Sequence, residues 1–298
     1  MIKFSVGSFD VLRADDLDDL DEKIQKSKGE NASCFGVGVF SDEYIEARGM
    51  GTPLKPLADR MAIASQLKGV DFVFPVNSQD QNEIISQINV AYKQYLEKKK
   101  EEEQAVKVPK KYKVGYAPGT YDLFHMGHLE HLMIASEQCE TLIVGVKADS
   151  LVEGHKGKKT TIKEDERMDI LRHFKFVGGV HKYYTRNPHV ADEYIKMKTG
   201  RRVDAFFLGS DLRDDFDKYT DELNIIYTER KPEVMQTRST SAYLKRLKDK
   251  PRQLGEGIRY TSPSGKSEIK PDDKISQTSM FEEDGKLKTF NGEELSIV

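Results

Sequence analysis

Two imidazoles three residues apart, His125 and His128, stand where an apolar strand pattern gives way to a helical one, in the run Gly119-Thr120-Tyr121-Asp122-Leu123-Phe124-His125-Met126-Gly127-His128. A helix start offers free backbone N–H groups and the positive end of a dipole, both of which attract anions. Gly127 has no side chain, so phosphate oxygens can approach the backbone beside it. Two histidine donors added to such a terminus describe a site for a nucleoside triphosphate. Aimed at its α-phosphate, the pair would stabilise the charge that develops in nucleotidyl transfer and hold the departing pyrophosphate, with no protein nucleophile required. The bland alternative is a pair that merely caps the helix or fills a core.

The elements that must position this pair come twice. Val6-Gly7-Ser8-Phe9-Asp10-Val11-Leu12 parallels Ala117 to Phe124, and Phe35-Gly36-Val37-Gly38-Val39-Phe40-Ser41-Asp42 parallels Leu142 to Asp149. Asp59-Arg60-Met61-Ala62-Ile63 parallels Glu166-Arg167-Met168-Asp169-Ile170, with Arg60 and Arg167 separated by 107 positions. The short apolar runs fit buried parallel strands. Helical patterns lie between them, such as Leu129, Leu132, Met133 and Ser136, so each copy reads strand, helix, strand, helix, strand. This alternation implies an α/β fold with a Rossmann-like doubly wound parallel sheet and right-handed crossovers, built as a tandem of a degenerate and an active copy.

The first copy is truncated. After Asn77 it continues as an amphipathic helix carrying Ile84, Ile85, Ile88, Ala91, Tyr92 and Tyr95, which runs into a solvated end, Lys98-Lys99-Lys100-Glu101-Glu102-Glu103. The second copy continues through Val203–Asp211 to a strand at Asn224–Tyr227, and the first copy's own segment has no counterpart to either. The expected division is a degenerate domain with its C-terminal helix over 1–104, a linker over 105–111, a catalytic domain over 112–248 and a mobile tail over 249–298. Spaced apolar residues in the tail, Phe281 and Phe290 among them, leave room for part of it to dock.

Composition narrows the class. Of 298 residues, 37% are hydrophobic and 33% charged, and a net charge of -3 supplies no field for a polyanion, so nucleic acid is not an expected partner. Cys34 and Cys139 are too few for a disulfide framework and lack zinc-site spacing. With neither a signal-like start nor an apolar stretch of about 18 residues, the expectation is a cytoplasmic protein with no membrane span.

The histidine run resembles the GTFDxxHxGH-type signature of the nucleotidyltransferase superfamily, and specifically cytidylyltransferases acting on glycerol 3-phosphate, phosphocholine or phosphoethanolamine. The resemblance covers Tyr112 to Leu247 and implies catalytic His125 and His128, with Gly119, Thr120, Tyr121 and Gly127 at the nucleotide. His155-Lys156-Gly157-Lys158-Lys159-Thr160 resembles the family's lysine-bearing loop, which implies that Lys156 and Lys158 meet the phosphates of nucleotide and acceptor. Arg167 matches the arginine of the next helix. Gly209-Ser210-Asp211 resembles a Gly-x-Asp element, with Leu212 where the family has tryptophan, and places Asp211 at the nucleotide or acceptor, or simply in a turn.

Arg230-Lys231-Pro232-Glu233 followed by Ser239-Thr240-Ser241 resembles the signature RTxxISTS with four extra residues. Either Arg230 or Arg238 is then the arginine at the triphosphate, Arg230 following the pattern more closely. Ser239 and Thr240 would cap the next helix, donate to phosphate, or do both. The resemblance implies CTP as nucleotide, magnesium accompanying it, and a small phosphorylated alcohol as acceptor, glycerol 3-phosphate being favoured. No metal ligand is assigned: Asp122 and Asp149 are open between aiding that ion and shaping the motif. An adenylyltransferase of the same superfamily and a non-catalytic nucleotide-binding scaffold are the alternatives.

Where the second copy has His125, Gly127 and His128, the first has Arg13, Asp15 and Asp16, and two acids would repel phosphate. The first copy is therefore expected to be catalytically dead. In the family an Arg-Tyr-Val-Asp run helps build a dimer interface. Here Lys175-Phe176-Val177-Gly178 has lost the acid and Lys68-Gly69-Val70-Asp71 retains it, so an intrachain pseudo-dimer is expected, with further homo-oligomerisation open. His131, His155, His173, His181 and His189 show no ligand spacing, and His131 is expected to pack.

Overall fold

Cys34-Phe35-Gly36-Val37-Gly38-Val39-Phe40 is buried along its whole length, the mark of a strand covered on both faces within a parallel sheet. A computed structural model describes residues 2–106, 108–157, 159–229, 237, 239–249 and 295–297. The chain forms two units, one of Met1–Asp10, Asp18–Ala105 and Leu244–Val298, the other of Val11–Leu17 and Val106–Tyr243.

The first unit follows the order β1 (Ile2–Gly7), α1 (Ala14–Gly29), β2 (Cys34–Phe40), α2 (Asp42–Ala47), α3 (Leu57–Ser65), β3 (Phe72–Val76) and α4 (Gln81–Gln104). Asp80 starts α4 by accepting from the backbone N–H groups of Asn82 and Glu83 at 2.8 and 3.1 Å. The helix buries Ile84, Ile88 and Tyr92 against Phe72 and Phe74, as its apolar spacing predicts. The Lys98–Glu103 run forms its exposed end. Asp71, the acid expected at an interface between copies, accepts from the N–H of Phe35 at 2.7 Å and the hydroxyl of Tyr95 at 3.4 Å within its own unit.

The second unit runs β4 (Tyr112–Gly119), α5 (Met126–Gln138), β5 (Cys139–Lys147), α6 (Asp149–Lys156), α7 (Glu164–Arg172), β6 (Gly179–Tyr183), α8 (Pro188–Thr199), β7 (Ala205–Gly209), α9 (Arg213–Phe216) and β8 (Ile225–Thr228). Helix α10 (Thr240–Asp249) then begins. All strand pairs are parallel and the order is β6-β5-β4-β7-β8, a Rossmann-like doubly wound sheet whose order reverses between β4 and β7. Asn187 caps α8 by accepting from the N–H of His189 at 3.0 Å, Pro188 sits in its first turn, and Gly200 ends it at φ 74°. That helix lays Ala191 and Ile195 on Val114, Tyr116, Ile143 and Phe206. Among the described residues no helix is long and apolar enough to cross a membrane.

The sequence parallels correspond to one repeated set of bonds. In the first unit Asp10 accepts from the N–H groups of Leu54 and Lys55, each at 2.9 Å. In the second, Asp122 accepts from those of Thr161 and Ile162 at 2.8 and 3.0 Å. Arg60 donates to the carbonyls of Lys55, Ser8 and Phe40 and to the Asp42 carboxylate. Arg167 does the same to Ile162, Thr120, Lys147 and Asp149. The residue before each aspartate is left-handed, Phe9 at φ 53° and Tyr121 at φ 55°.

Within the segment expected as a mobile tail, Leu295–Ile297 forms β9, a parallel partner of β1, making the first sheet β3-β2-β1-β9.

On β6, the His181 ring stacks on Tyr194 of α8 with centroids 4.1 Å apart and its Nδ1 lies 3.3 Å from the Tyr116 hydroxyl. Burial pushes this imidazole down to about 4. The folded chain then holds fewer protons than the unfolded one between about pH 6.5 and 4, so this contribution to stability is complete above 6.5 and drains away as pH falls. Urea midpoints at pH 7 and 4.5 should differ less in His181→Phe than in the parent chain; an unchanged difference would show that the ring carries no such load.

Candidate functional site

The turn after β4 builds the site. Left-handed Tyr121 and Leu123, at φ 55° and 46°, fold the chain back on itself, and Tyr121 donates its hydroxyl to the carbonyl of Ala117 at 3.0 Å. A methyl group on Gly119 would sit 2.7 Å from that ring, so glycine is needed for the ring to lie where it does. His125 takes the N-cap position of α5 in extended conformation, and its carbonyl receives the N–H groups of His128 and Leu129 at 2.9 and 3.0 Å. The helical step then carries the second imidazole over the first: the rings lie 3.7 Å apart, inclined by 22°. Tyr121 and Phe124 flank His128 at 5.1 and 5.7 Å, and Tyr243 of α10 meets His125 edge-on at 5.9 Å. Two imidazoles so close together could present their N–H groups to one anion.

Beneath the turn lies Arg167, whose guanidinium is fully enclosed. It donates to the carbonyls of Thr120 and Lys147, at the ends of β4 and β5, to the carbonyl of Ile162, and to Asp149 at 2.7 Å. Burial alone would raise the Asp149 carboxyl, but hydrogen bonds from Thr160 and Arg167 outweigh it and hold the group below the usual range. Asp122 is committed to the backbone of Thr161 and Ile162. Both aspartates therefore shape the motif, and their oxygens are already engaged by protein donors. Among the described residues no three His, Cys, Asp or Glu side chains converge to hold a metal.

The hydroxyl pair serves as caps and struts. Ser239 accepts from the N–H of Ala242 at 3.3 Å, and Thr240 donates to the carbonyl of Asp122 at 2.9 Å, fastening α10 to the histidine turn. Gly127 is buried at the start of α5. Asp211 is exposed in the turn after β7, at the point where the strand order reverses beside β4, the usual place for a ligand in such sheets. Lys158, Arg230 and Arg238 lie outside the described residues, as do the side chains of His155 and Lys156.

Sequence reasoning missed the place of Tyr243, although its apolar position in the Ala242–Leu247 helix pattern marked it as inward-facing. It also left His131 as simple packing. That ring is buried, and its Nδ1 lies 2.7 Å from the Thr228 hydroxyl, which itself donates to the carbonyl of Leu208. The bond ties the motif helix to the end of β8, two residues before Arg230.

Residues 116–263 match the protein family described as Cytidylyltransferase-like. Glycerol-3-phosphate cytidylyltransferase of Staphylococcus aureus is 30% identical over 122 residues, which cover 40% of this chain and 86% of that enzyme. Choline-phosphate cytidylyltransferase A of Rattus norvegicus is 43% identical over 67 residues, 22% of this chain and 18% of that one. Bifunctional protein HldE of Campylobacter concisus is 28% identical over 140 residues, 47% of this chain. The chain thus spans only 28% of the length of HldE.

Two stability measurements check the struts. Arg167→Met removes the buried counter-charge of Asp149 and should cost about 3–5 kcal/mol in denaturant unfolding of the second unit; a cost below 1 kcal/mol would mean that the fork is idle. Arg167→Lys should recover little of that loss, since an ammonium cannot reach several fixed acceptors at once. His131→Leu and Thr228→Val should each cost about 1–3 kcal/mol, and the double variant less than their sum, since no polar partner is then left stranded. Strict additivity would contradict the bond.

Proposed function

Because the chain belongs to the cytidylyltransferase-like family, we propose that it transfers CMP from CTP to a small phosphorylated alcohol, glycerol 3-phosphate foremost. An oxygen of the acceptor phosphate attacks the CTP α-phosphorus, the bond to the β-phosphate oxygen breaks, and the products are a CDP-alcohol and pyrophosphate. The observation that carries this reading is the stacked His125/His128 pair at the start of α5, held from below by Arg167. Donors fixed in place before reaction stabilise the charge on the transferring phosphoryl group without reorganising. Lys156, Lys158 and Arg230 complete the proposed phosphate contacts, and Asp211 stands at the switch point for nucleotide or acceptor. The glycerol 3-phosphate preference rests on the long coverage of the Staphylococcus aureus enzyme. Magnesium, on this reading, travels with the triphosphate, as its usual ligation by phosphates and water allows.

The repeated Arg60 and Arg167 scaffolds support a tandem duplication whose first copy, with Arg13 and Asp16 in place of the histidines, is catalytically silent. The two copies are proposed to pair as a pseudo-dimer within one chain, with further homo-oligomerisation open. A cytoplasmic setting is part of the same proposal.

Pyrophosphate release with magnesium present, comparing CTP and ATP over glycerol 3-phosphate, phosphocholine and phosphoethanolamine, tests the activity. CTP-specific, acceptor-dependent release is expected, and His128→Ala should lower kcat by about 100-fold or more. Turnover of ATP alone would make the chain an adenylyltransferase. Nucleotide binding with no turnover over the whole panel would replace the enzyme reading with a scaffold.

A further inference from the structure

We propose that the outer edge of β1 is a strand-acceptor slot and that its occupant is this chain's own C-terminal segment, Leu295–Ile297, which supplies the strand missing from the truncated first copy. The register carries the inference. In the second unit β7 joins β4 at Gly115 and Tyr116, opposite Ala205 and Phe206. The repeated turns align Asp10 with Asp122, which aligns Lys3 and Phe4 with Gly115 and Tyr116. Those are residues that β9 pairs in the first unit, Lys3 with Ser296 and Phe4 with Ile297, also in parallel. β9 therefore lies on the same side of its sheet, in the same direction and at the same positions as β7, although the chain reaches it some 220 residues after β3 rather than through a crossover helix.

The burial of β1 agrees. Ile2, Lys3, Phe4 and Ser5 are 0%, 7%, 2% and 4% exposed, the pattern of a strand inside a sheet rather than at its rim. Without β9 the backbone groups of β1 on that side would form an open edge, which pairs readily with any extended segment. A second loss of the truncated copy is made good in the same way. The carbonyl of Asp122 is capped by the Thr240 hydroxyl; the first copy lacks that element, and the carbonyl of Asp10 is capped instead by the buried Lys55 ammonium. Truncation has been answered once by a side chain from within the copy and once by a strand from the far end of the chain.

Because three residue pairs hold a strand only weakly, the slot should open well below global unfolding. Amide hydrogen exchange of the full chain is compared with a chain lacking Leu295–Val298 and with Ser296→Pro, which keeps the length but obstructs the ladder. Exchange at those Ile2–Ser5 amides that face β9 is expected to rise at least tenfold in both variants, with the β4 and β5 amides unchanged as an internal control. A synthetic peptide of residues 290–298 added to the deleted chain should restore the protection. If loss of protection spreads through β2 and β3, restoration by the peptide still supports the slot, and failure to restore it overturns the proposal. Unchanged exchange at Ile2–Ser5 overturns it as well. A full chain that is dimeric, and becomes monomeric on deletion, would assign the strand to a second copy and overturn the intrachain occupant.

Discussion

Arg167 is about 1% exposed, and its guanidinium reaches carbonyls 47 and 20 residues away in sequence, at Thr120 and Lys147, besides the Asp149 carboxylate. A cation in that position cannot regain water unless the fold opens, and removing its partners would strand a charge at a cost of several kcal/mol. The ends of β4 and β5 and the start of α7 are thus fixed to one planar group. The histidine turn stands on one of those ends, so the geometry of the imidazole pair is inherited from the arginine below it. A lysine could supply the charge but not the fork.

The same device in the first unit, built on Arg60, separates scaffold from chemistry. Arg60, Asp10 and Asp42 repeat the bonds of Arg167, Asp122 and Asp149, while the residues that would face a phosphate are Arg13, Asp15 and Asp16. The buried fork and its acceptors are common to both units; the imidazole pair belongs to the second alone.

How much of this was legible in the sequence follows from the range of each interaction. The His125/His128 turn was readable because its elements are adjacent: strand, glycine, cap position and helix lie within ten residues. The sheet was readable from runs such as Cys34–Phe40, where unbroken apolar character implies cover on both faces. Arg60 and Arg167 were visible as a repeated pair, but not as the struts they are, since most of their acceptors are main-chain carbonyls that carry no residue signature. Thr240 was read as a cap or phosphate donor and also fastens to Asp122, 118 residues away. The strand Leu295–Ile297 is too short for any periodicity, and its partner lies at the opposite end of the chain.

If CTP binds as proposed, the histidine turn is built before the nucleotide arrives. NMR amide exchange at Thr161 and Ile162, whose N–H groups Asp122 holds, tests it in the free protein and with CTP. Slow exchange in the free protein, little changed by CTP, is the predicted result. Rapid exchange in the free protein that becomes slow only when CTP is bound would mean that the ligand assembles the turn, and would contradict a site preorganised by Arg167.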